Sequence, residues 1–327
     1  MRAAQVKEFS PNSVFQLSDI ETPTIGDKEV LVKVAAAGII YADVLERQGV
    51  YGPPEQPFPL TLGIEVAGTI EAVGKAVQRY AVGDRVAGNL DYAHHGGYAE
   101  YAAVRANNLR PIPERCSFAQ AMVYMVNLPV AYHHFYTFGQ VQPGETLLIH
   151  AASGGVGSLI TQIAKRKGQD NTVIALASNE EKMAFCAANG ADHCINYREV
   201  DYVEAVKELT QGRGVEVVCN SVGGDTLAND PKIIKPLRGR WLITGASNGA
   251  KSINPWSFIY DSITVKPFSV LTLPGTEEFR LAFQFLDQWL AEETLIDPTH
   301  VFSLEQATEA HQLIEQQKSF GKIILQP

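Results

Sequence analysis

Hydrophobic and polar residues follow two different patterns along the chain. In the first third, short strand-like runs alternate with glycine turns: Val30–Val34 before Gly38, Val66–Ile70 before Gly74, and Gly83–Val86 before Gly88. Short strands with turn residues between them are typical of a compact β-rich domain. We therefore expect the chain to begin with such a domain.

From about Gly144 the pattern changes to alternating strand-like and helix-like segments. The strand-like runs are Thr146–Ile149, Thr172–Leu176, Glu216–Cys219 and Trp241–Thr244, and a helix is predicted at Asn179–Ala188. This alternation predicts a doubly wound parallel sheet, hence an α/β fold. After Pro255 the pattern is mixed again, with an amphipathic helix near Phe279–Leu290 and a closing apolar run, Gly321–Leu325. We predict an inserted doubly wound domain, residues 124–264, within a domain formed by residues 1–123 and 265–327.

A glycine cluster lies between the first strand of the alternating region and the next helix. The segment His150–Ser158 reads HAASGGVGS, and it places Ala152, Gly154 and Gly157 at the marked positions of GxGxxG. Such glycines allow a backbone to approach a pyrophosphate, and a helix starting near Gly155 directs N–H groups toward it. The alternative is an ordinary glycine-rich turn. The flanking periodicities favour a dinucleotide-binding turn formed by Ala152, Ser153, Gly154, Gly155, Val156 and Gly157.

Composition limits the other possibilities. A chain of 327 residues with 46% hydrophobic and 19% charged residues suits two domains with full cores. The net charge of −9 and the lack of a basic stretch argue against a nucleic-acid partner. No apolar run approaches the roughly 20 residues of a membrane helix, and the N-terminus does not resemble a signal peptide. We expect a soluble, cytoplasmic protein with no membrane span.

The cysteines indicate neither disulfides nor a cysteine-rich zinc site. They are Cys116, Cys186, Cys194 and Cys219, and no two form a CxxC pair. We expect them to be small buried hydrophobic residues.

Several ordered motifs resemble one known family along essentially the whole chain. They are Gly38–Asp43 (GIIYAD), Gly63–Gly68 (GIEVAG), Gly83–Val86 (GDRV), HAASGGVG, Gly190–Tyr197 (GADHCINY), Ser221–Gly224 (SVGG) and Gly321–Lys322. Together they resemble the zinc-independent quinone oxidoreductase (zeta-crystallin-like) branch of the medium-chain dehydrogenase/reductase superfamily. The segment from Val126 to Tyr132, with Phe138–Gly139, also resembles the vesicle amine transport protein subgroup. The resemblance implies a GroES-like catalytic domain (1–123 and 265–327), a Rossmann NADP-binding domain (124–264) and hydride transfer in the cleft between them.

Two isoleucines argue against a catalytic zinc ion. Ile40 and Ile64 stand where zinc-dependent members of the superfamily carry ligands, and isoleucine offers no lone pair. Leu90–Ala102, where structural zinc cysteines would lie, contains none. The neighbouring His94 and His95 are interpreted as solvated loop residues, and Glu65 as a domain-interface or turn residue. We predict no metal.

The residues after the second Rossmann strand favour NADPH over NADH. A carboxylate that would bind a ribose 2′-hydroxyl is absent, because that position falls on Ala177, followed by Ser178. Lys182 lies one helical turn further, and the resemblance places Tyr197 beside the same pocket. Ser178 and Glu181 also fit a capping box for the following helix, and both roles are compatible. The predicted cofactor site also includes Asn220 and Gly245.

The predicted catalytic residues are Tyr51 and Asn127. Tyr51 matches by resemblance a tyrosine that lines the substrate pocket, where a phenol can donate a proton; the alternative is a loop aromatic that packs beneath the cleft. Ile40 and Leu45 replace an asparagine and a tyrosine found in many quinone oxidoreductases, so we expect a more apolar pocket. Asn127 is the nearest remaining polar candidate.

These observations predict an NADPH-dependent, zinc-independent reductase. Its partner would be a small electrophilic acceptor, either a quinone or the activated double bond of an α,β-unsaturated carbonyl. One alternative is an enoyl-thioester reductase acting on CoA or acyl-carrier-protein thioesters. Another is a nicotinamide-binding protein with little turnover and a structural or interaction role. The resemblance also implies a homodimer.

Overall fold

A computed structural model of the protein describes residues 1–50, 57–90 and 95–327. In chain order the strands are β1 (Arg2–Val6), β2 (Gln16–Asp19), β3 (Glu29–Ile39), β4 (Leu60–Thr61), β5 (Glu65–Val73), β6 (Arg85–Asn89), β7 (Tyr101–Arg105), β8 (Leu109–Pro111), β9 (Thr146–Ile149), β10 (Thr172–Ala177), β11 (His193–Asn196), β12 (Val217–Asn220), β13 (Arg240–Ile243), β14 (Thr264–Pro267), β15 (His300–Ser303) and β16 (Ile323–Gln326). The α-helices are α1 (Tyr41–Arg47), α2 (Phe118–Tyr124), α3 (Asn127–Tyr132), α4 (Gly155–Ala164), α5 (Glu180–Ala188), α6 (Tyr202–Leu209), α7 (Thr226–Asn229), α8 (Trp256–Ile259), α9 (Glu277–Glu292) and α10 (Ala307–Glu315).

Two units divide the chain, residues 1–126 with 286–327 and residues 127–285. The first unit contains a sheet in the order β15-β16-β3-β5-β6-β8, with β7 also paired to β3, and a smaller sheet in the order β2-β1-β4. Strand β3 organises the larger sheet. Its first half pairs with β7 and its last residues pair with β16 along the same edge, while the other edge pairs with β5.

The alternating pattern of β3 explains how this sheet forms its core. Val30, Val32 and Val34 point to the buried face, while Lys33 is exposed between them. Side chains alternate between the two faces of a strand, so one face of β3 joins the apolar core and the other meets solvent. This confirms the β-rich region expected from the first third of the sequence.

The second unit is built on a six-stranded sheet in the order β11-β10-β9-β12-β13-β14, and every neighbouring pair is parallel. This order is that of a doubly wound fold, as the alternating pattern predicted. Residues Leu147–Ile149 and Val173–Ala177 are buried without alternation, because helices cover both faces of a parallel sheet.

The sixth strand places the end of this unit later than the sequence pattern indicated. β14 pairs with β13 in the register Arg240↔Thr264 to Ile243↔Pro267, so the chain beyond residue 264 still belongs to the sheet. The unit continues to residue 285, within α9. The pattern did not reveal β14 because this strand is short, partly exposed and ends in proline, which is typical of an edge strand.

The four cysteines are free thiols, three of them buried and Cys194 partly buried, as predicted. Across the described residues, no helix combines the length and hydrophobicity required to span a membrane.

Candidate nucleotide-binding site

The glycine turn connects the carboxyl end of β9 to the start of α4. Gly154 is the N-cap residue, with extended backbone angles (φ −77°, ψ 173°), and no side chain caps the helix. The amides of Gly155, Val156 and Gly157 belong to the first helical turn, where an α-helix supplies no acceptor. This terminus therefore directs N–H groups and the positive end of the helix dipole toward the space beyond β9.

Close backbone packing requires glycine within this turn. A Cβ atom on Gly157 would lie 2.5 Å from the Ala151 carbonyl oxygen and 2.7 Å from Ala152 Cα. On Gly155 it would lie 2.5 Å from Asn127 Nδ2, so the amide of Asn127 covers the first residue of α4. The structure thus brings Asn127, a predicted catalytic residue, to the glycine turn.

Ala152 and Ser153, the predicted residues at the start of the turn, pack beneath it. Ala152 and Ser153 are buried, and the N–H of Ala152 donates to the Leu176 carbonyl at 3.4 Å. This bond joins the turn to β10. Helix α4 ends at Ala164, and the basic segment Lys165–Lys167 follows it.

The turn lies at the topological switch point of the sheet. β9 pairs with β10 on one side and with β12 on the other, so the chain crosses the sheet in opposite directions from this strand. In doubly wound sheets, ligands bind outside the carboxyl ends of the strands at this point. The geometry therefore supports a dinucleotide at the turn.

Ser178 and Tyr197 lie next to each other at the carboxyl ends of β10 and β11. Ala177 and Asn196 are register partners at the ends of β10 and β11, and the N–H of Tyr197 donates to the Ala177 carbonyl at 3.1 Å. Ser178 is buried, whereas Tyr197 is 42% exposed. Neither residue carries a carboxylate. The positions directly after β10 and β11 therefore place no negative charge next to a ribose phosphate.

Lys182 adds a positive charge beside these residues. It lies in the first turn of α5 and is buried. Burial is the main cause that lowers its pKa, and the positive charge of Arg198 lowers it further. Two cations close enough to affect each other's protonation favour binding of a dianion. The sequence interpretation missed Arg198. Its position directly after Tyr197, in the turn that follows β11, was the available signal.

The predicted capping box of α5 was wrong. Asn179, with extended backbone angles, is the N-cap residue, and its side chain accepts a hydrogen bond from the Lys182 N–H at 2.9 Å. The shift by one residue leaves Ser178 outside the helix. The cap also fixes the backbone from which the Lys182 side chain extends.

Asn220 and Gly245 lie at the carboxyl ends of β12 and β13. The Asn220 side chain donates to Thr226 and Asp230 and accepts from the amides of Val222 and Gly223, so it is fully used within the protein. A Cβ on Gly245 would lie 2.7 Å from the Ser221 carbonyl oxygen. The loops after these two strands therefore approach each other closely.

A buried histidine supports the loop after β13. His134 lies in a π-helix, His133–Thr137, and its Nε2 lies 3.1 Å from Thr244 Oγ1. Burial lowers the pKa of His134 to about 3, so its imidazole is neutral at physiological pH. Local π-helical turns frequently occur at functional sites.

Two of the predicted residues of the first unit, Glu65 and His95, have different surroundings from those expected. Tyr51 and His94 lie outside the described residues. Glu65 does not lie in a turn: it is the first residue of β5, is fully buried and forms an ion pair with Lys322. His95 is not solvated, because its side chain is buried 2.8 Å from the Glu46 carboxylate.

The two zinc-position isoleucines also lie in the first unit. Ile64 is 4% exposed, and Ile40 precedes α1, where its N–H donates to the Asp43 carboxylate at 2.9 Å. Within residues 1–50, 57–90 and 95–327, no three His, Cys, Asp or Glu side chains are grouped so that they could hold a metal ion.

Comparisons with known proteins agree with this architecture. The family of alcohol dehydrogenase GroES-like domains matches residues 26–114, and that of zinc-binding dehydrogenases matches residues 155–288. The quinone oxidoreductase of Rattus norvegicus is 32% identical over 329 residues, which cover 99% of this chain and 97% of the rat protein. The chain belongs to the zinc-independent quinone oxidoreductase family. This membership confirms the resemblance and the combination of a GroES-like with a Rossmann domain.

Two further members show the range of this family. A quinone oxidoreductase of Escherichia coli, solved in complex with NADPH, is 29% identical and has a TM-score of 0.89 with full coverage of both chains. The synaptic vesicle membrane protein VAT-1 homolog of Danio rerio is 32% identical over 93% of this chain and 65% of its own length. The similarity to the vesicle protein subgroup is therefore confirmed as well.

Proposed function

We propose that this quinone oxidoreductase family member is an NADPH-dependent reductase that transfers hydride to a quinone or to the activated double bond of an α,β-unsaturated carbonyl. The observation that carries the proposal is the glycine turn at the switch point, with Lys182 in the first turn of α5 and Arg198 in the turn after β11. It is supported by the NADPH bound to the Escherichia coli relative.

The residues of the second unit fit this cofactor. The uncapped start of α4 suits the pyrophosphate, and Gly157 permits the turn to pack without a side chain. Lys182 and Arg198 suit the 2′-phosphate, whose charge would offset their mutual repulsion. Bound NADPH would supply the hydride.

The acceptor follows from the groups that could stabilise negative charge. Ile40 and Ile64 cannot ligate a metal, so charge that develops on oxygen must be stabilised by hydrogen bonds. A quinone or an enone spreads this charge onto one oxygen, which one or two donors can support. We propose Tyr51, which lies outside the described residues, as the proton donor.

Asn127 is proposed as a second polar group, because its amide lies beside the start of α4. Ile40 and Leu45 are both partly buried and apolar, which favours a hydrophobic acceptor. A long-chain enal, enone or enoyl thioester therefore belongs in any substrate test beside the quinones.

Two measurements test the function. Fluorescence titration with NADPH and NADH should give a Kd for NADPH at least about tenfold lower, the effect of one added charge-assisted contact. Loss of NADPH absorbance should then follow addition of a quinone, an enal or an enoyl thioester. Tight binding without oxidation by any acceptor class would instead favour the nicotinamide-binding protein with a structural role.

We also propose that the protein forms a homodimer through the β14 edge of the parallel sheet. Four exposed apolar side chains lie on and beside the segment that leads to this edge: Leu237, Trp256, Ile259 and Tyr260. The N–H of Leu237 donates to the Asp261 carbonyl, which places Leu237 next to Tyr260 in space. Exposed apolar groups beside an edge strand suit a second copy of the same sheet.

Light scattering tests the dimer. The wild-type protein should have twice the mass of the chain, and Tyr260→Asp should shift it toward the monomer. A monomeric wild-type protein at micromolar concentration would contradict this proposal.

A further inference from the structure

Asp230 is a fully buried carboxylate that accepts four side-chain hydrogen bonds. It lies in the short 3-10 helix Asp230–Ile233 and is 0% exposed. On Oδ1 it accepts from His150 Nε2 and Tyr202 OH, both at 2.8 Å. On Oδ2 it accepts from Asn220 Nδ2 at 2.6 Å and from Trp241 Nε1 at 3.0 Å.

Two of these donors lead directly to the nucleotide site. His150 is the residue between β9 and the glycine turn. Asn220 ends β12, and its Oδ1 accepts from the amides of Val222 at 2.9 Å and Gly223 at 3.0 Å. Asp230 therefore connects the residue before the glycine turn with the loop after β12.

The loop after β12 is in turn hydrogen-bonded to the loop after β13. The Val222 carbonyl accepts from the Asn248 N–H at 2.7 Å, and the Gly224 N–H donates to the Gly249 carbonyl at 2.8 Å. Fixing the Asn220 side chain thus fixes the loop after β12, which in turn holds the loop after β13.

A carboxylate imposes orientation because it only accepts hydrogen bonds. His150 must therefore carry a proton on Nε2, and Asn220 must turn its NH₂ group toward Asp230. The Asn220 oxygen then faces the loop amides. An asparagine at position 230 would present two N–H donors to neighbours that are themselves donors, so at least one of these neighbours would have to turn away.

We propose that Asp230 is a positioning residue for NADPH, which fixes the glycine turn and the loops after β12 and β13 in their binding arrangement. This inference rests on the nucleotide site proposed above. Asp230 acts through His150 and Asn220 and does not itself contact the cofactor.

The test measures nucleotide affinity separately from stability. Asp230→Asn should raise the Kd for NADPH by about tenfold or more, as expected for misplaced charge-assisted contacts. The Kd for NADH should rise by the same factor, because the loops contact the part that the two nucleotides share. The preference for NADPH, which depends on Lys182, should stay unchanged.

Tyr202→Phe is the matched control. It removes a hydrogen bond to the same carboxylate, but Tyr202 lies in α6, outside the three loops, and phenylalanine keeps its edge-to-face ring contact with His150. This variant should unfold at lower denaturant concentration while its Kd for NADPH stays within about twofold of the wild-type value. A purely structural role of Asp230 predicts that the two variants behave alike.

Asn220→Ala provides a second route if Asp230→Asn does not fold. It removes the link between Asp230 and the amides of Val222 and Gly223, together with a hydrogen bond to Thr226, and should raise the Kd for both nucleotides by about tenfold. Wild-type affinity in either folded variant, or equal weakening in Tyr202→Phe, would overturn the role of Asp230. Failure of the wild-type protein to bind either nucleotide would overturn the nucleotide site as well, whereas absence of turnover would affect only the proposed reaction.

Discussion

Replacement of Gly157 by alanine should reverse the usual effect of this substitution in a helix. In an unconstrained helix, alanine is favoured over glycine by about 1 kcal/mol. At Gly157 the new Cβ would lie 2.5 Å from one backbone atom and 2.7 Å from another. Since neither can rotate away, α4 must shift from β9 by roughly an ångström, and such overpacking costs about 1–3 kcal/mol.

The net effect should be a loss of about 2 kcal/mol, because these contacts place the cost at the upper end of that range. For a unit of this size, such a loss corresponds to a decrease in Tm of roughly 4–8 °C. The shift also moves the amides that face the pyrophosphate, so the Kd for NADPH should rise by at least about tenfold.

Thermal unfolding and fluorescence titration measure the two effects, and Gly154→Ala is the control. Its Cβ would be 3.2 Å from the Ala151 carbonyl oxygen, and its φ of −77° suits any residue. This variant should keep its Tm within about 2 °C, whereas its methyl group, close to the pyrophosphate, should weaken NADPH binding. A Tm of Gly157→Ala equal to or above that of the wild type would refute the packing argument.

Three further variants test other parts of the structure. Lys182→Met should weaken NADPH binding by about 10- to 100-fold and leave NADH binding unchanged, as titrations would show. Burial raises the pKa of Asp43 from 3.8 to about 7, so its protonated form stabilises the fold, and this stabilisation is lost as the pH rises through that range. Asp43→Asn should therefore gain up to about 4 kcal/mol over the wild type at pH 8 but little at pH 4, as measured by urea unfolding. Lys322→Met leaves the buried Glu65 carboxylate without its cation and should cost about 3–5 kcal/mol in the same assay, while adding Glu65→Gln should recover most of the loss.

Local features of the second unit could be predicted from the sequence. The apolar runs at β9 and β10 and the glycines between β9 and α4 are contiguous in the chain, and their conformations depend mainly on neighbouring residues. The glycine turn and the doubly wound sheet were recognisable for this reason.

Features that depend on distant partners could not be predicted in the same way. The buried His95 lies beside Glu46 and the buried Glu65 beside Lys322, and a charged partner offsets the cost of burial although it is remote in sequence. The four donors to Asp230 likewise come from two strands, a helix and the residue that follows β9. None of these contacts can be seen in the sequence, because only the tertiary packing of the sheets brings the partners together.

Helix ends depend on a single residue's backbone angles. Ser178 and Asn179 are both good N-cap residues, and the sequence alone did not distinguish them. In the structure the extended Asn179 takes this role, which moves the start of α5 by one position. Short exposed strands such as β14 are equally difficult, since four residues ending in proline carry little hydrophobic pattern.

The most direct test of the proposed function is a single-turnover reaction of the protein with NADPH deuterated at the transferred position of C4. Mixing this complex with a quinone, an enal or an enoyl thioester should consume the NADPH absorbance with a primary isotope effect, and prior treatment with a metal chelator should not change the rate. Binding of NADPH without oxidation by any acceptor class, or loss of the reaction after treatment with the chelator, would contradict the proposed function.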